Sequence, residues 1–144
     1  MISDCVRASG VVQFFNSSGQ LVHSSNTVLS LGKEWIAQRC TGELTSVVSY
    51  IAVGVGSTPV TIADSGLVSE VGRAAVTTPG AVRPTEKSVI RYEASFSAGV
   101  GVGALREAGL FTDGDGTCVA RTVFPVKTKG EYDVFTIVWE ITIN

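Results

Sequence analysis

The sequence predicts an all-β fold, a β-sandwich or jelly-roll-like domain with an N-terminal hairpin and one helix. Three observations lead to this prediction: short β-rich segments recur through residues 47–143, glycine-rich turns separate them, and only one early segment has helical periodicity. A chain of 144 residues corresponds to one domain, 1–144, and can bury a core of its own. No segment repeats at a fixed period, which argues against a solenoid.

The N-terminal part, residues 1–25, is predicted to form an arm that contains a hairpin. A β-rich run over residues 10–15 leads into Asn16-Ser-Ser-Gly19, which has the composition of a turn. Gln20-Leu-Val-His23 then supplies the returning strand.

Residues 27–41 are predicted to form the helix. Four apolar residues recur there at helical spacing: Val28, Leu31, Trp35 and Ile36. Asn26 or Thr27 is expected to cap its start, and Thr41-Gly42 is expected to end it. Gly32 lies in the middle of this segment and weakens its helical propensity.

The main β region covers residues 47–143. Its runs with strand character are 47–53, 73–77, 88–98, 104–111, 118–124 and 134–143. Between the first two runs, Asp64 is expected to cap one or two helical turns that reach Glu70. Four aromatic side chains that fall on apolar faces are predicted to lie in the core: Trp35, Phe96, Phe135 and Trp139.

The composition favours self-association. Charged residues make up 17% of the chain, against about 25% in a typical soluble domain. The chain is 44% hydrophobic with a mean hydropathy of +0.32, so a monomer would expose an unusually apolar surface.

Charge and hydropathy also argue against two classes of partner. The net charge is −2 and no basic run is present, so nucleic-acid binding is not expected. No apolar stretch approaches the ~20 residues that span a membrane. The N-terminus lacks a basic start followed by an apolar segment, so it does not resemble a signal peptide, and synthesis in a cytoplasm is expected.

The candidate metal ligands lack the spacing of a metal site, and no cofactor is expected. Cys5, Cys40 and Cys118 form no Cys-x-x-Cys pair, and the single histidine, His23, is distant from them in sequence. Free thiols are the main expectation, and an intermolecular disulfide remains the alternative. Asp113-Gly-Asp-Gly116 lacks the later ligands of a calcium loop, so it is interpreted as a tight turn.

The sequence does not predict an enzyme. A hydrolase triad would need His23 as its base, and no Gly-x-Ser-x-Gly elbow is present. The Gly54-Val-Gly56 and Gly99–Gly103 segments lack the context of a nucleotide-binding loop and are interpreted as turns. Glu93 and Glu107, expected on neighbouring strands, are interpreted as ion-paired structural carboxylates because each has an arginine nearby in sequence.

One order of motifs resembles a known family. The motifs are Tyr50-Ile-Ala-Val-Gly54-Val-Gly56-Ser-Thr58, then Leu67, Glu70 and Arg73, then Leu105-Arg-Glu107-Ala-Gly109-Leu-Phe111, Ala120-Arg-Thr-Val-Phe-Pro125 and a last strand with Trp139. This order, across residues 27–143, resembles small virion structural proteins of tailed bacteriophages. These include capsid decoration (cement) proteins and related parts of tail fibres, collars and baseplates.

The resemblance implies a structural role at the virion. The expected function is a decoration protein that binds the major capsid protein as an oligomer, most simply a homotrimer, and reinforces the lattice. The implied location is the capsid surface, after synthesis in the cytoplasm of the bacterial host. The alternative is a tail fibre, collar or baseplate protein that attaches to other tail proteins.

Glu107 is the most informative single residue. It lies in an otherwise apolar run, and an unpaired buried carboxylate is very costly, so it needs a cation. Arg73 and Arg121 are the candidates, because the family pattern also carries arginine at both places. A salt bridge that fixes strand register is predicted. The alternative is that all three residues lie at a subunit interface and pair between chains.

Overall fold

The computed structural model describes residues 7–77, 81–83, 86–113 and 116–144. Strands dominate these ranges, together with one helix, so the all-β class is confirmed. The elements are β1 (Ala8–Asn16), β2 (Gly19–Val28), α1 (Ser30–Thr41), β3 (Val48–Gly54), β4 (Glu70–Ala75), β5 (Ala81–Arg83), β6 (Glu86–Phe96), β7 (Gly103–Thr112), β8 (Cys118–Lys129) and β9 (Phe135–Ile143).

The strands form one continuous antiparallel sheet in the order β4-β3-β7-β8-β2-β1-β9-β6-β5. Strand β2 joins its two halves, because it pairs with β1 along most of its length and with β8 at Thr27 and Val28. The sheet curls until its distant strands meet: Val76 bridges Ala94, and the Thr77 amide donates to the Glu93 carbonyl at 2.8 Å. The sheet is therefore nearly closed.

The main core lies inside the curled sheet. Three of the four aromatic residues predicted for the core, Phe96, Phe135 and Trp139, are buried there. Trp35 is half-buried and packs against this core from its edge. Its indole Nε1 donates to the Ser46 carbonyl at 3.2 Å and to the Ser46 hydroxyl at 3.1 Å, so its polar edge stays at the protein surface.

The N-terminal hairpin is present, with β1 and β2 paired in antiparallel register. The helix begins at Ser30 and not at residue 27, because Thr27 and Val28 continue β2 and pair with β8. Neither Asn26 nor Thr27 caps it; the N-cap is Leu29, without a side-chain hydrogen bond. The predicted end is confirmed, since Gly42 adopts the left-handed C-cap conformation with φ 77°.

Gly32 has a packing role that its low helical propensity conceals. It is the buried residue of α1, and a Cβ atom at this position would lie 2.2 Å from the Val119 carbonyl oxygen. The Leu29 amide donates to the same oxygen at 2.9 Å. Glycine thus allows the first turn of α1 to rest directly on the backbone of β8.

Two further predictions are wrong. Asp64 caps no helical turn, because its carboxylate accepts from the Thr61 amide and hydroxyl, both at 3.0 Å, in an irregular segment between β3 and β4. Glu93 and Glu107 do not lie on neighbouring strands, since β7 lies between β3 and β8, and β6 lies between β9 and β5. β6 and β7 follow each other in the sequence, which suggested that they pair, but they are not neighbours in the sheet.

In the part of the chain that the structure describes, no helix has the length and apolar character needed to cross a membrane.

Candidate functional site

Glu107 and Arg121 form a buried ion pair between β7 and β8. The register pairs Glu107 with Val123 and Gly109 with Arg121, so the two side chains are diagonal neighbours on one face of the sheet. Arg121 donates to Glu107 Oε2 from Nη2 at 2.7 Å and from Nε at 3.2 Å. The side chains are 0% and 1% exposed, so water does not screen the pair.

The pair lies on the face of the sheet opposite to the main core. A second, smaller cluster occupies this face and includes Ala52, Phe111 and Cys118. Val60 and Leu67, from the connection between β3 and β4, pack against it. We call residues 55–69, which form this connection, the 55–69 segment.

The Glu107 carboxylate binds the backbone of the 55–69 segment. Its Oε1 accepts from the Ser69 amide at 2.8 Å and from the Gly56 amide at 3.3 Å. Its Oε2 accepts from the Val68 amide at 3.1 Å. Three amides and one guanidinium therefore compensate the buried negative charge.

Arg121 holds the same segment from the other side of the pair. Its Nη1 donates to Asp64 Oδ2 at 2.9 Å, and its Nη2 donates to the Thr58 carbonyl at 3.0 Å. The Thr61 amide is the main cause that lowers the pKa of Asp64, and Arg121 contributes. The segment is thus bound near both of its ends and in its middle.

Gly54 and Gly56 leave room for the carboxylate. A Cβ atom at Gly54 would lie 2.5 Å from Glu107 Oε1, and one at Gly56 would lie 2.9 Å from it. The sequence predicts that both glycines are turn residues, but neither has a positive φ angle. Their function is close approach to a buried side chain.

Arg73 is not a partner of Glu107, which corrects the prediction for that residue. Its guanidinium donates to both carboxylate oxygens of Glu70, at 2.8 and 2.7 Å, and these hydrogen bonds raise the pKa of Arg73. It also lies over the rings of Phe111 and Tyr50, at 4.6 and 5.7 Å from their centroids. Arg73 therefore pairs within β4, at the edge of the network.

Sequence reasoning missed the surroundings of two charged residues, the half-buried Asp64 and the buried Lys129. The sequence predicts Asp64 at the start of a helical turn, but its carboxylate pairs with Arg121. Lys129 is 1% exposed, and its Nζ donates to the Ser97 carbonyl at 3.0 Å. Burial lowers the pKa of Lys129. The position of Asp64 could have been inferred, because a buried Arg121 needs acceptors besides Glu107. Lys129 lies in a strand of alternating residues, and no motif distinguishes it.

The arrangement around Glu107 fixes the backbone of the 55–69 segment. Within the described ranges, no three His, Cys, Asp or Glu side chains come together in a way that would hold a metal ion. Cys40 is exposed and Cys118 is buried, both as free thiols, and Cys5 lies outside the described residues. The other predicted carboxylate, Glu93, forms an exposed pair with Arg91 at 3.2 Å.

Comparison of the chain with models of protein families, with curated proteins and with solved structures gave no match.

Proposed function

We propose that the protein is a structural component of a tailed-phage virion, a capsid decoration protein that binds the major capsid protein as a homotrimer. The observation that carries this proposal is the contrast between the two sides of the 55–69 segment. Its inner side is bound by the Glu107–Arg121 network. Its outer side carries Ile62 and Val68, which are 58% and 57% exposed, and Val71 follows in β4 at 40%.

A fixed segment with exposed apolar side chains has the properties of a binding surface. Ordering a flexible loop costs roughly 1–2 kcal/mol per residue in backbone entropy, and a loop that is already ordered avoids most of that cost on association. Apolar side chains at the surface gain free energy when a partner covers them. The buried ion pair thereby contributes to binding without touching the partner.

The residues of the phage-like pattern support the proposal, because several of them meet in this network. Gly56, Thr58, Glu107 and Arg121 come from three separate motifs and are joined by hydrogen bonds. Glu70 and Arg73 pair beside them. The pattern therefore corresponds to the set of residues that holds the 55–69 segment in place.

Symmetry and composition support the trimer and its location on the capsid surface. Capsid lattices offer threefold sites, and symmetric oligomers match symmetric surfaces. Three weak contacts to the lattice then act together as one stronger attachment.

We also infer a sandwich of the jelly-roll-like class, in which the two halves of the curled sheet act as layers around the main core.

Immunogold electron microscopy of whole virions of the phage that encodes this chain tests the location. An antibody against the chain should label the entire head surface. Label confined to the tail would replace the decoration role with a fibre, collar or baseplate role. Absence of label from intact and opened particles would refute a virion role of either kind.

Sedimentation equilibrium tests the oligomer and its surface. The 15.0 kDa chain should sediment with three times its own mass. The double substitution Ile62→Lys and Val68→Lys should weaken one of two interactions. Loss of self-association lowers the sedimenting mass, and loss of capsid binding lowers the amount of chain that sediments with capsids. Val126→Lys is the matched control, because Val126 is also exposed, at 46%, but lies on β8 outside the segment. Equal effects of the double variant and the control would contradict the assignment of the 55–69 segment.

A further inference from the structure

An apolar cavity lies beneath α1. It is on the main-core face of the sheet, opposite to the face that carries the Glu107–Arg121 network. Its volume is about 450 Å³. Side chains from the interior of the curled sheet line it, among them Leu110, Val119 and Ile141, and α1 covers it with Trp35 and Ile36. Both halves of the sheet and the helix therefore contribute to one cleft, which is open to solvent on the side where Arg39, Cys40 and Val47 are exposed.

The attachment of α1 maintains this space. The first turn of the helix rests on β8 through Leu29 and Gly32. Further along, Trp35 and Ile36 line the cavity and are only half-buried, so part of each side chain faces solvent. Close-packed protein interiors rarely leave voids much larger than a water molecule, whereas ligand pockets measure about 300–1,000 Å³. The cavity has the size of a ligand pocket.

Two polar side chains distinguish one part of this lining. Arg39 and Tyr92 both line the cavity. The Arg39 side chain is exposed at the mouth of the cavity, whereas Tyr92 is buried. Burial raises the pKa of Tyr92 to about 12, and the positive charge of Arg39 acts in the opposite direction. Tyr92 therefore stays protonated at neutral pH and can donate a hydrogen bond into the same cavity that Arg39 lines.

The geometry points to a medium-chain fatty acid as the ligand of this cavity, with its alkyl tail among the apolar side chains and its carboxylate at Arg39 and Tyr92. A guanidinium and a hydroxyl together supply the donors that a carboxylate accepts. At roughly 30 Å³ per heavy atom, the share of a water molecule in its liquid, the volume holds about fifteen heavy atoms. Dodecanoate has close to that number.

Isothermal titration calorimetry of the full chain with dodecanoate, below its micelle threshold, tests the inference. One molecule should bind per chain. Arg39→Gln should weaken dodecanoate binding about tenfold or more, because a charge-assisted hydrogen bond is lost. The same substitution should leave the binding of dodecan-1-ol, which has the same tail without the charge, unchanged. Lys33→Gln is the matched control, since Lys33 is exposed on the same helix and does not line the cavity.

A second variant tests the tail site independently of the charge. Ile36→Trp places a larger side chain at the half-buried cavity wall and should abolish binding of both dodecanoate and dodecan-1-ol while the chain remains folded. Dodecanoate should also slow alkylation of Cys40, which lines the cavity.

Three outcomes would overturn the inference: no binding of dodecanoate, equal loss for both ligands in Arg39→Gln, or protection of Cys40 that depends on protein concentration without dodecanoate. The last result would assign the cavity to a second copy of the chain.

Discussion

Glu107 Oε2 lies 2.7 Å from Arg121 Nη2, and both side chains are removed from water. Taking two charges out of water costs several kcal/mol for each ion, and their attraction compensates this cost only when the remaining polar atoms are also bonded. Here the compensation comes from three backbone amides, Asp64 and the Thr58 carbonyl. The ion pair and the 55–69 segment therefore stabilise each other, and removal of one charge should release the segment.

Glu107→Gln should destabilise the protein by about 3–5 kcal/mol, because Arg121 keeps its charge in a buried site with Asp64 as its remaining anion. Chemical denaturation followed by far-ultraviolet circular dichroism measures the loss. Glu93→Gln is the control: Glu93 is 43% exposed in its pair with Arg91, and its loss should cost about 0–1 kcal/mol.

A double-mutant cycle separates the pair from its surroundings. Arg121→Met alone leaves the Glu107 charge with amide donors only. Glu107→Leu combined with Arg121→Met removes both charges and should cost less than the sum of the two single substitutions. Strict additivity would mean that the two side chains do not interact in solution.

Gly32→Ala should destabilise the protein by about 1–3 kcal/mol. In an ordinary helix this substitution stabilises by about 1 kcal/mol, so the predicted sign is reversed. The cause is the 2.2 Å approach of the added Cβ to the Val119 carbonyl oxygen, which would displace α1 from β8. Thermal unfolding compares this variant with Lys33→Ala, an exposed position on α1 that should change stability by less than about 0.5 kcal/mol. A Gly32→Ala protein of higher stability would contradict the close packing of α1.

Local chemistry in the sequence was sufficient for some features and insufficient for others. Alternation of apolar residues located most strands, and the cost of a buried carboxylate predicted that Glu107 needs a cation. The family resemblance supplied the candidates, of which Arg121 is its partner and Arg73 is not. The start of α1 was not predictable, because Thr27 and Val28 become strand only through pairing with β8. This is a tertiary contact that overrides local propensity.

Long-range order accounts for the other errors. The sequence placed β6 beside β7, but the hydrogen-bonded neighbours of β7 are β3 and β8. The partner of Arg73 is Glu70, three residues away, which was recognised as part of the same motif but not as an ion pair. The sequence predicts only a turn residue at Gly56. Its proximity to the Glu107 carboxylate follows from how β3 and β7 pair, which local sequence does not determine.

Cys40 and Cys118 should differ strongly in their reaction with alkylating reagents. Burial raises the pKa of Cys118 to about 12, so its thiolate fraction at pH 8 is very small, and its side chain is inaccessible. Cys40 is exposed. Iodoacetamide labelling at pH 8 with peptide-level mass spectrometry should give a rate at Cys118 on the order of a thousandfold lower than at Cys40. The difference should vanish in denaturant, and comparable native rates would contradict the burial of Cys118.

Asp64 should make the stability of the protein depend on pH in the acid range. Its pKa in the folded state lies below the ordinary value of 3.8, chiefly because its carboxylate accepts from the Thr61 amide. A depressed pKa means that the unfolded chain binds the proton more readily, so the stabilisation is complete above pH 3.8 and is lost as the pH falls through the folded-state value. The difference in unfolding free energy between the natural chain and Asp64→Asn should therefore be largest at neutral pH and shrink below pH 4. Urea denaturation of both proteins between pH 7 and pH 3 measures this difference, and titration of the other carboxylates cancels to first order in the comparison. A difference that stays constant across this range would show that the Asp64 charge does not stabilise the 55–69 segment.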